Sequence, residues 1–331
     1  MQSPKPEIVI TRTVNAPRHR VWQMVTQPEH IQHWWGPNGF TNTIFGMDVR
    51  VGGMWRFVMH GPAGYGGAPQ DQCPDYPNWI RYTTVTAPAF MAYEHGGDDE
   101  SKPEFNASIT LDDLGDSTTR VTLRLVLQSE AQREQLVKFG AVEGGEQNLA
   151  RLDAYVSPTP PDQCFAISRT FDAPLARVWQ AWSEPERLRQ WWGPAGCVIK
   201  LKKMDFTEGG EFHDAMTWPG APDMWGKFAY ARIVPQQRIE FVNSFSDESG
   251  NITRAPFAGL ENWPLQVHNT VTFTEVTDEK GIKTTVDLGG GPINALAVER
   301  AKFAGFFDSM NQGFSGTFDQ LAGYLKATAQ G

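Results

Sequence analysis

Cysteine is scarce: the 331 residues hold three, Cys73, Cys164 and Cys197, and no CxxC pair. Three thiols cannot all pair internally, so a disulfide scaffold is excluded and the cysteines read as reduced and structural. Excess positive charge is lacking too. Lys and Arg number 29 against 38 Asp and Glu, a formal net charge of −9, with no basic block, so nucleic acid and anionic membrane surfaces find no electrostatic footprint. No apolar run approaches the roughly 18 residues of a membrane-spanning helix. The opening MQSPKPEIVITRTV also lacks the charged start, apolar run and small cleavage residues of a signal peptide. A cytoplasmic protein without membrane insertion is expected. Catalytic signatures are missing as well. The stretch Gly61 to Gly67 has no Lys-Ser/Thr sequel and opens no helix, unlike a phosphate loop, and no nucleophile elbow or Ser/His/Asp spacing is readable. His30 and His33 sit one helical turn apart, but no carboxylate or cysteine at ligand spacing completes a zinc set. Neither a metal nor a cofactor is expected.

What the chain has in plenty is aromatic surface, with 12 Trp and 20 Phe. Such residues fill cores and also line cavities for flat or greasy ligands. It also has a repeat. Residues 12–37 (RTVNAPRHRVWQMVTQPEHIQHWWGP) and 169–194 (RTFDAPLARVWQAWSEPERLRQWWGP) agree at 14 of 26 positions at a constant offset of 157. The register continues through Met47-Asp48 against Met204-Asp205 and Gly52-Gly53 against Gly209-Gly210. Towards the C-termini, GEQNLARLDAYV (145–156) matches GFSGTFDQLAGYL (313–325) at an offset near 169, which places an insertion of about a dozen residues in the second copy, between Ser246 and Pro264. The length fits two domains. They are expected at 1–156 and 163–331, joined by a semi-rigid Pro-rich linker at 157–162.

Each copy reads as α+β. Ile8, Ile10 and Val14 alternate as in a half-buried strand. Pro17 then opens a helix with Val21, Trp22 and Val25 on one face, and a second short helix runs from Pro28 to the WWGP stop. Strands follow near 40–50, 53–60, 79–86, 90–96, 104–112 and 119–127, and one long helix spans roughly 129–156. The second copy repeats this, with its last helix around 293–327. The order β-α-α-β6-α allows an antiparallel sheet to wrap its final helix, leaving a cavity between them.

The motif RTxxAPxxxVWxxxxxPExxxxWWGP, the Gly-Gly hairpin and DYPNWIRY resemble the SRPBCC (START-like, birch-pollen-allergen-like) superfamily. MWGKFAYARIVPQQRIEFVNSFSDESGNITR (224–254) and SMNQGFSGTFDQLAGYL (309–325) resemble its heat-shock-protein-90 ATPase activator homologue branch. The resemblance covers nearly the whole chain, once per copy, and implies tandem helix-grip domains. It does not select a reaction, because the superfamily includes ligand carriers, cyclases and dehydratases. A chaperone partner is not expected, since the eukaryotic activators also depend on a separate N-terminal domain.

Strand parity nominates site residues. In the second copy Phe212 and Met216 bracket Asp214, Phe228 shares a face with Tyr230 and Arg232, Phe241 with Asn243, and Val267 with Asn269. Asp214, Tyr230, Arg232, Asn243 and Asn269 are therefore a candidate polar set; alternatively Asp214 and Arg232 pair near a strand end and the asparagines satisfy the backbone. In the first copy Trp55, Phe57 and Met59, Ile80 and Tyr82, and Met91 and Tyr93 face inward, the last two with His95. Asp214 and His95 are the candidate acid or base residues. One member of each tryptophan pair, with Trp191 nominated, reaches the cavity or packs helices. The loop 61–77 is either a lid or a solvated hairpin tip. A small apolar or aromatic ligand is the expected partner, placed in the second copy; an enzyme of the same fold (cyclase, dehydratase or hydrolase) and a chaperone-linked or regulatory protein–protein module are the alternatives. A homodimer stays open.

Overall fold

The computed structural model describes residues 5–279 and 281–328. The chain divides into two compact units after Pro158. The first contains β1 (Glu7–Val14), α1 (Arg18–Thr26), α2 (Pro28–Trp34), β2 (Thr41–Met47), β3 (Met54–His60), β4 (Asp75–Thr86), β5 (Phe90–Gly96), β6 (Phe105–Gly115), β7 (Thr118–Val126), α3 (Glu130–Lys138) and α4 (Ala141–Val156). The second repeats it with β8 (Phe165–Phe171), α5 (Leu175–Ser183), α6 (Pro185–Leu188), β9 (Val198–Met204), β10 (Glu211–Thr217), β11 (Met224–Val234), β12 (Arg238–Phe245), β13 (Val267–Asp278), β14 (Gly281–Pro292), α7 (Ala297–Ala304) and α8 (Phe307–Ala327).

Each unit is one seven-stranded antiparallel sheet, ordered β1-β7-β6-β5-β4-β3-β2 and β8-β14-β13-β12-β11-β10-β9. Consecutive hairpins build six strands, and the first strand closes the far edge against the last. Burial follows the expected alternation: Ile8, Ile10 and Val14 are buried while Val9 is exposed. The closing helix packs on the buried face, α4 against β1, α1 and α2, and α8 against β8 and α5. This is the α+β, tandem helix-grip architecture that the sequence implied.

The single long closing helix is in fact two helices in each unit. The first unit breaks at Phe139-Gly140, where Gly140 takes φ +96°, a left-handed value that residues with a Cβ rarely adopt. Ser129 caps α3 by accepting from the Gln132 amide. In the second unit the break falls at Gly305-Phe306. The extra length of the second copy is the segment between β12 and β13, held by a bridge of Ser246 to Ile252. Thr159 donates its hydroxyl to the Pro292 carbonyl, tying the proline-rich stretch to β14.

Candidate functional site

The WWGP turn locks α2 and α6 to the sheet by one device used twice. Trp34 donates its indole N–H to the Met24 carbonyl at 3.0 Å, and Trp191 does the same to Ala181 at 2.9 Å. Both indoles are fully buried. The next residue leaves the helix, so Trp35 and Trp192 turn towards the space beneath the closing helix. Gly36 (φ +99°) and Gly193 (φ +94°) then reverse the chain; a Cβ on Gly36 would sit 2.8 Å from Met59 Cε. The closing helix grips this turn. Arg151 donates to the carbonyls of His33, Gly36, Pro37 and Phe40 at 2.6–3.0 Å, and Gln320 donates to those of Trp191 and Gly193.

In the second unit a cavity of about 290 Å³ opens between the sheet and α8. Trp192, Phe228, Phe245, Trp263, Met310 and Phe314 form most of its apolar wall. Trp192 meets Phe228 edge-on at 5.3 Å, and Phe228 stacks on Phe241 at 4.3 Å. Trp263 comes from the inserted segment and is packed against Phe303 and Phe306. Arg254 holds that segment in place: it donates to the Trp263 carbonyl at 3.2 Å and pairs with buried Glu299 at 2.5 Å.

The polar residues that line this wall include Thr317, Asn243 and Asp214. Thr317 is satisfied by the Gly313 carbonyl at 3.0 Å. Asn243 accepts at 2.8 Å from Asn269, which lies behind it and also donates to the Val267 carbonyl. Asp214 is 4% exposed, and among the described residues it makes no hydrogen bond or ion pair. Burial alone pushes its carboxyl up to about 7.

The first unit has a cavity of about 300 Å³ in the corresponding place, lined among others by Trp35, Phe40, Met59, Tyr65, Tyr76 and His95. Tyr65, from the glycine-rich loop, meets Phe40 edge-on at 4.7 Å and brings the start of that loop to the cavity, while residues 69–73 are exposed. His95 stacks on Phe105 at 4.6 Å; burial lowers its pKa to about 4, and its Nδ1 has no partner. The strand registers align the two units residue by residue. Phe57 pairs with Asn78 where Asp214 pairs with Gly226, and His95 follows Tyr93 as Asn243 follows Phe241. The strand position that carries the carboxylate in the second unit thus carries a phenyl ring in the first, Phe57, which is buried beneath the cavity-lining residues.

Asp214, Met216, Phe228 and Asn243 line the second unit's cavity, as parity implied, and His95 lines the first. Other nominated residues sit elsewhere. Arg232 is exposed, because the register shifts between Tyr230 and Arg232 and sets the guanidinium opposite Glu240 on the outer face. It therefore does not pair with Asp214. Trp191 is locked inside, and its neighbour Trp192 reaches the cavity. Tyr230 and Phe241 border only a void of about 10 Å³ deeper in the core. Trp55, Tyr82 and Tyr93 are buried in the core below the first cavity, and Asn269 backs Asn243 rather than lining the wall. The residues the sequence reading missed come from the closing helix and the inserted segment: Met310, Gly313, Phe314 and Trp263. The single small residue Gly313 between Met310 and Phe314 in MNQGF was the available signal. His30 and His33 pack on Tyr155, with His30 Nδ1 3.2 Å from its hydroxyl. Among the described residues no cluster of His, Cys, Asp and Glu is placed to hold a metal ion, and no helix is long and apolar enough to cross a membrane.

Solved structures similar to this chain include a protein from Arthrobacter aurescens (25% identity, 45% of this chain and 84% of that one, TM-score 0.39). A protein from Mycobacterium smegmatis (27%, 45% and 88%, 0.39) is another. The di-domain ARO/CYC StfQ from the steffimycin biosynthetic pathway aligns over 98% of this chain and all of its own at 12% identity, with a TM-score of 0.36. No curated protein matches the chain. The family model described as "Activator of Hsp90 ATPase homolog 1-like protein" matches residues 15–157 and again 172–326, together most of the sequence. Two WWGP turns, two wrapped sheets and two matches lead to one statement: the chain belongs to the Activator of Hsp90 ATPase homolog 1-like family and carries its domain twice.

Proposed function

We propose that the protein binds a small, largely apolar or aromatic molecule in the cavity of its second unit. The fold is one that commonly holds hydrophobic ligands. The observation that carries the reading is the wall built by Trp192, Phe228, Phe245, Trp263 and Phe314 around about 290 Å³ of open space. A module acting only through its surface has no need of that space, and filling it with side chains would add stability. A neutral environment-sensitive dye, N-phenyl-1-naphthylamine, tests this on the full chain. Gly313 lines the cavity, and a Cβ there meets nothing within 4 Å, so Gly313→Leu fills the space at a helix position that favours Leu. Saturable dye binding whose tighter phase disappears in Gly313→Leu is expected. Unchanged binding in a natively folded variant refutes the assignment.

Asp214 favours a second reading, an enzyme of the same fold. A carboxyl held near 7 suits general acid or base work at neutral pH. In that case a ligand extracted from the native protein should be a substrate–product mixture, and Asp214→Asn should hold it as a single species.

A further inference from the structure

Resting on that reading of the second unit's cavity, we infer that its ligand is a small aromatic amine whose cationic nitrogen sits against Asp214. The argument begins with what surrounds the carboxylate. On β11, Lys227 borders the cavity, but its ammonium lies 3.6 Å from Glu211. Tyr230 and Cys197 are close enough to sense Asp214, and burial keeps both protonated and neutral. His213, next to it on β10, turns to the Asp247 carbonyl (3.2 Å) and the Trp225 ring. From β9 its ladder partner is Leu201. β12 contributes Asn243 and Ser244, and α8 contributes Met310, Gly313, Phe314 and Thr317. Apart from Lys227, whose ammonium faces Glu211, none of the residues that line the cavity is a lysine or an arginine. Arg232, the one guanidinium the sequence offered, points outward.

An ionised carboxylate on an apolar wall is costly without a partner. A neutral apolar guest leaves that cost unchanged, and an anionic guest adds repulsion. A guest ammonium removes it, and the faces of Trp192, Phe228 and Trp263 give the cation a second kind of contact. The first unit is a built-in control. Its cavity is of similar size, but Phe57 stands at the Asp214 position and the polar groups beside it, Asn78 and His95, are neutral.

Isothermal titration of the full chain with tryptamine and with tryptophol, which replaces the ammonium by a hydroxyl, tests the inference. At pH 8 tryptamine should bind at least about tenfold tighter, the usual gain of a charged over a neutral hydrogen-bonding partner. In Asp214→Asn that preference should vanish. Tryptamine affinity should fall by about sevenfold to 30-fold from pH 8 to pH 5.5, the larger value applying if only the ionised carboxyl binds, because a carboxyl titrating near 7 must first release its proton. Tryptophol affinity should stay flat. The wild-type pH profile stands even if the variant misfolds. Equal affinities, a preference that survives Asp214→Asn, or binding of the dye but of neither indole overturns the amine assignment and leaves the cavity reading intact. Absence of dye binding as well overturns both.

Discussion

Replacing Asp214 by Asn should make the protein more stable, and by an amount that depends on pH. The carboxyl titrates near 3.8 in an unfolded chain and near 7 in the fold. A pKa raised by folding means that the native state holds its proton more tightly than the unfolded state. The associated stability is complete below about pH 3.8 and is lost as pH rises through 7. Linkage puts the loss at about 1.7 kcal/mol by pH 5 and about 4.3 kcal/mol by pH 8, upper values because relaxation around the charge reduces them. Asn carries no such titration, although its amide is also short of partners and costs about 1–2 kcal/mol in the same wall. The variant should therefore be close to wild type at pH 5 and about 2–3 kcal/mol more stable at pH 8. For a unit of this size that corresponds to roughly 5–10 °C in Tm. Thermal unfolding of both proteins by circular dichroism at the two pH values measures it. The diagnostic quantity is the change in the difference, about 2.6 kcal/mol between pH 5 and 8. A difference that is independent of pH, or a variant less stable at pH 8, would falsify the view of Asp214 as an unpaired buried acid and would instead reveal an ion pair.

The first unit should respond in the opposite direction. His95 is held neutral with a pKa lowered to about 4, so its contribution is present above about 6.5 and lost as pH falls; His95→Phe, which keeps a ring on Phe105, should remove about 2 kcal/mol of acid destabilisation between pH 7 and 4.5 in urea titrations. Trp191→Phe should cost about 2–4 kcal/mol by orphaning the Ala181 carbonyl and opening a void, whereas Trp192→Phe should lower dye affinity several-fold with a smaller loss in Tm. Arg254→Met leaves Glu299 buried without its cation and frees Trp263, so about 1–3 kcal/mol of stability and part of the dye affinity should go together; dye binding unchanged from wild type would show that the inserted segment is not part of the cavity wall.

Much of the fold could be read from the sequence because duplication displays each element twice and period-2 patterning names the buried face. Parity placed Asp214 correctly from Phe212 and Met216 alone. Its failures have two causes. Parity gives the face of a strand but not the height along it: Tyr82, Tyr93 and Trp55 share faces with cavity residues yet lie beneath the helices, where the interior closes. Parity also fails wherever a bulge adds a residue, and the register shift between Tyr230 and Arg232 turned the guanidinium outward. The Trp191–Trp192 choice turned on a different point, the residue at which α6 stops. The helix side of the cavity was hidden because a 3.6-residue period defines a stripe without saying which part of it meets sheet and which part meets space.

The two units separate what holds the fold from what lines the cavities. Thr119 donates to the Ala16 carbonyl and Thr284 to the Ala173 carbonyl, both at 2.8 Å and fully buried. With the two indole bonds of the WWGP turns, these contacts fix the helices on the sheet in the same way in both copies. They cannot vary independently, since each would leave a buried carbonyl without a donor. The polar groups on the cavity walls carry no such constraint. Asn78 and Gly226, and His95 and Asn243, differ in size and charge at equivalent places, and Asp214 has the buried ring of Phe57 as its counterpart, while the cavities remain near 300 Å³. The two changes that matter electrostatically act in opposite senses: a carboxylate that weakens its unit as pH rises and an imidazole that weakens its unit as pH falls. A single core optimised for stability would remove both groups. Their presence on open cavity walls, unpaired by any described side chain, is what binding sites of two different polarities would require.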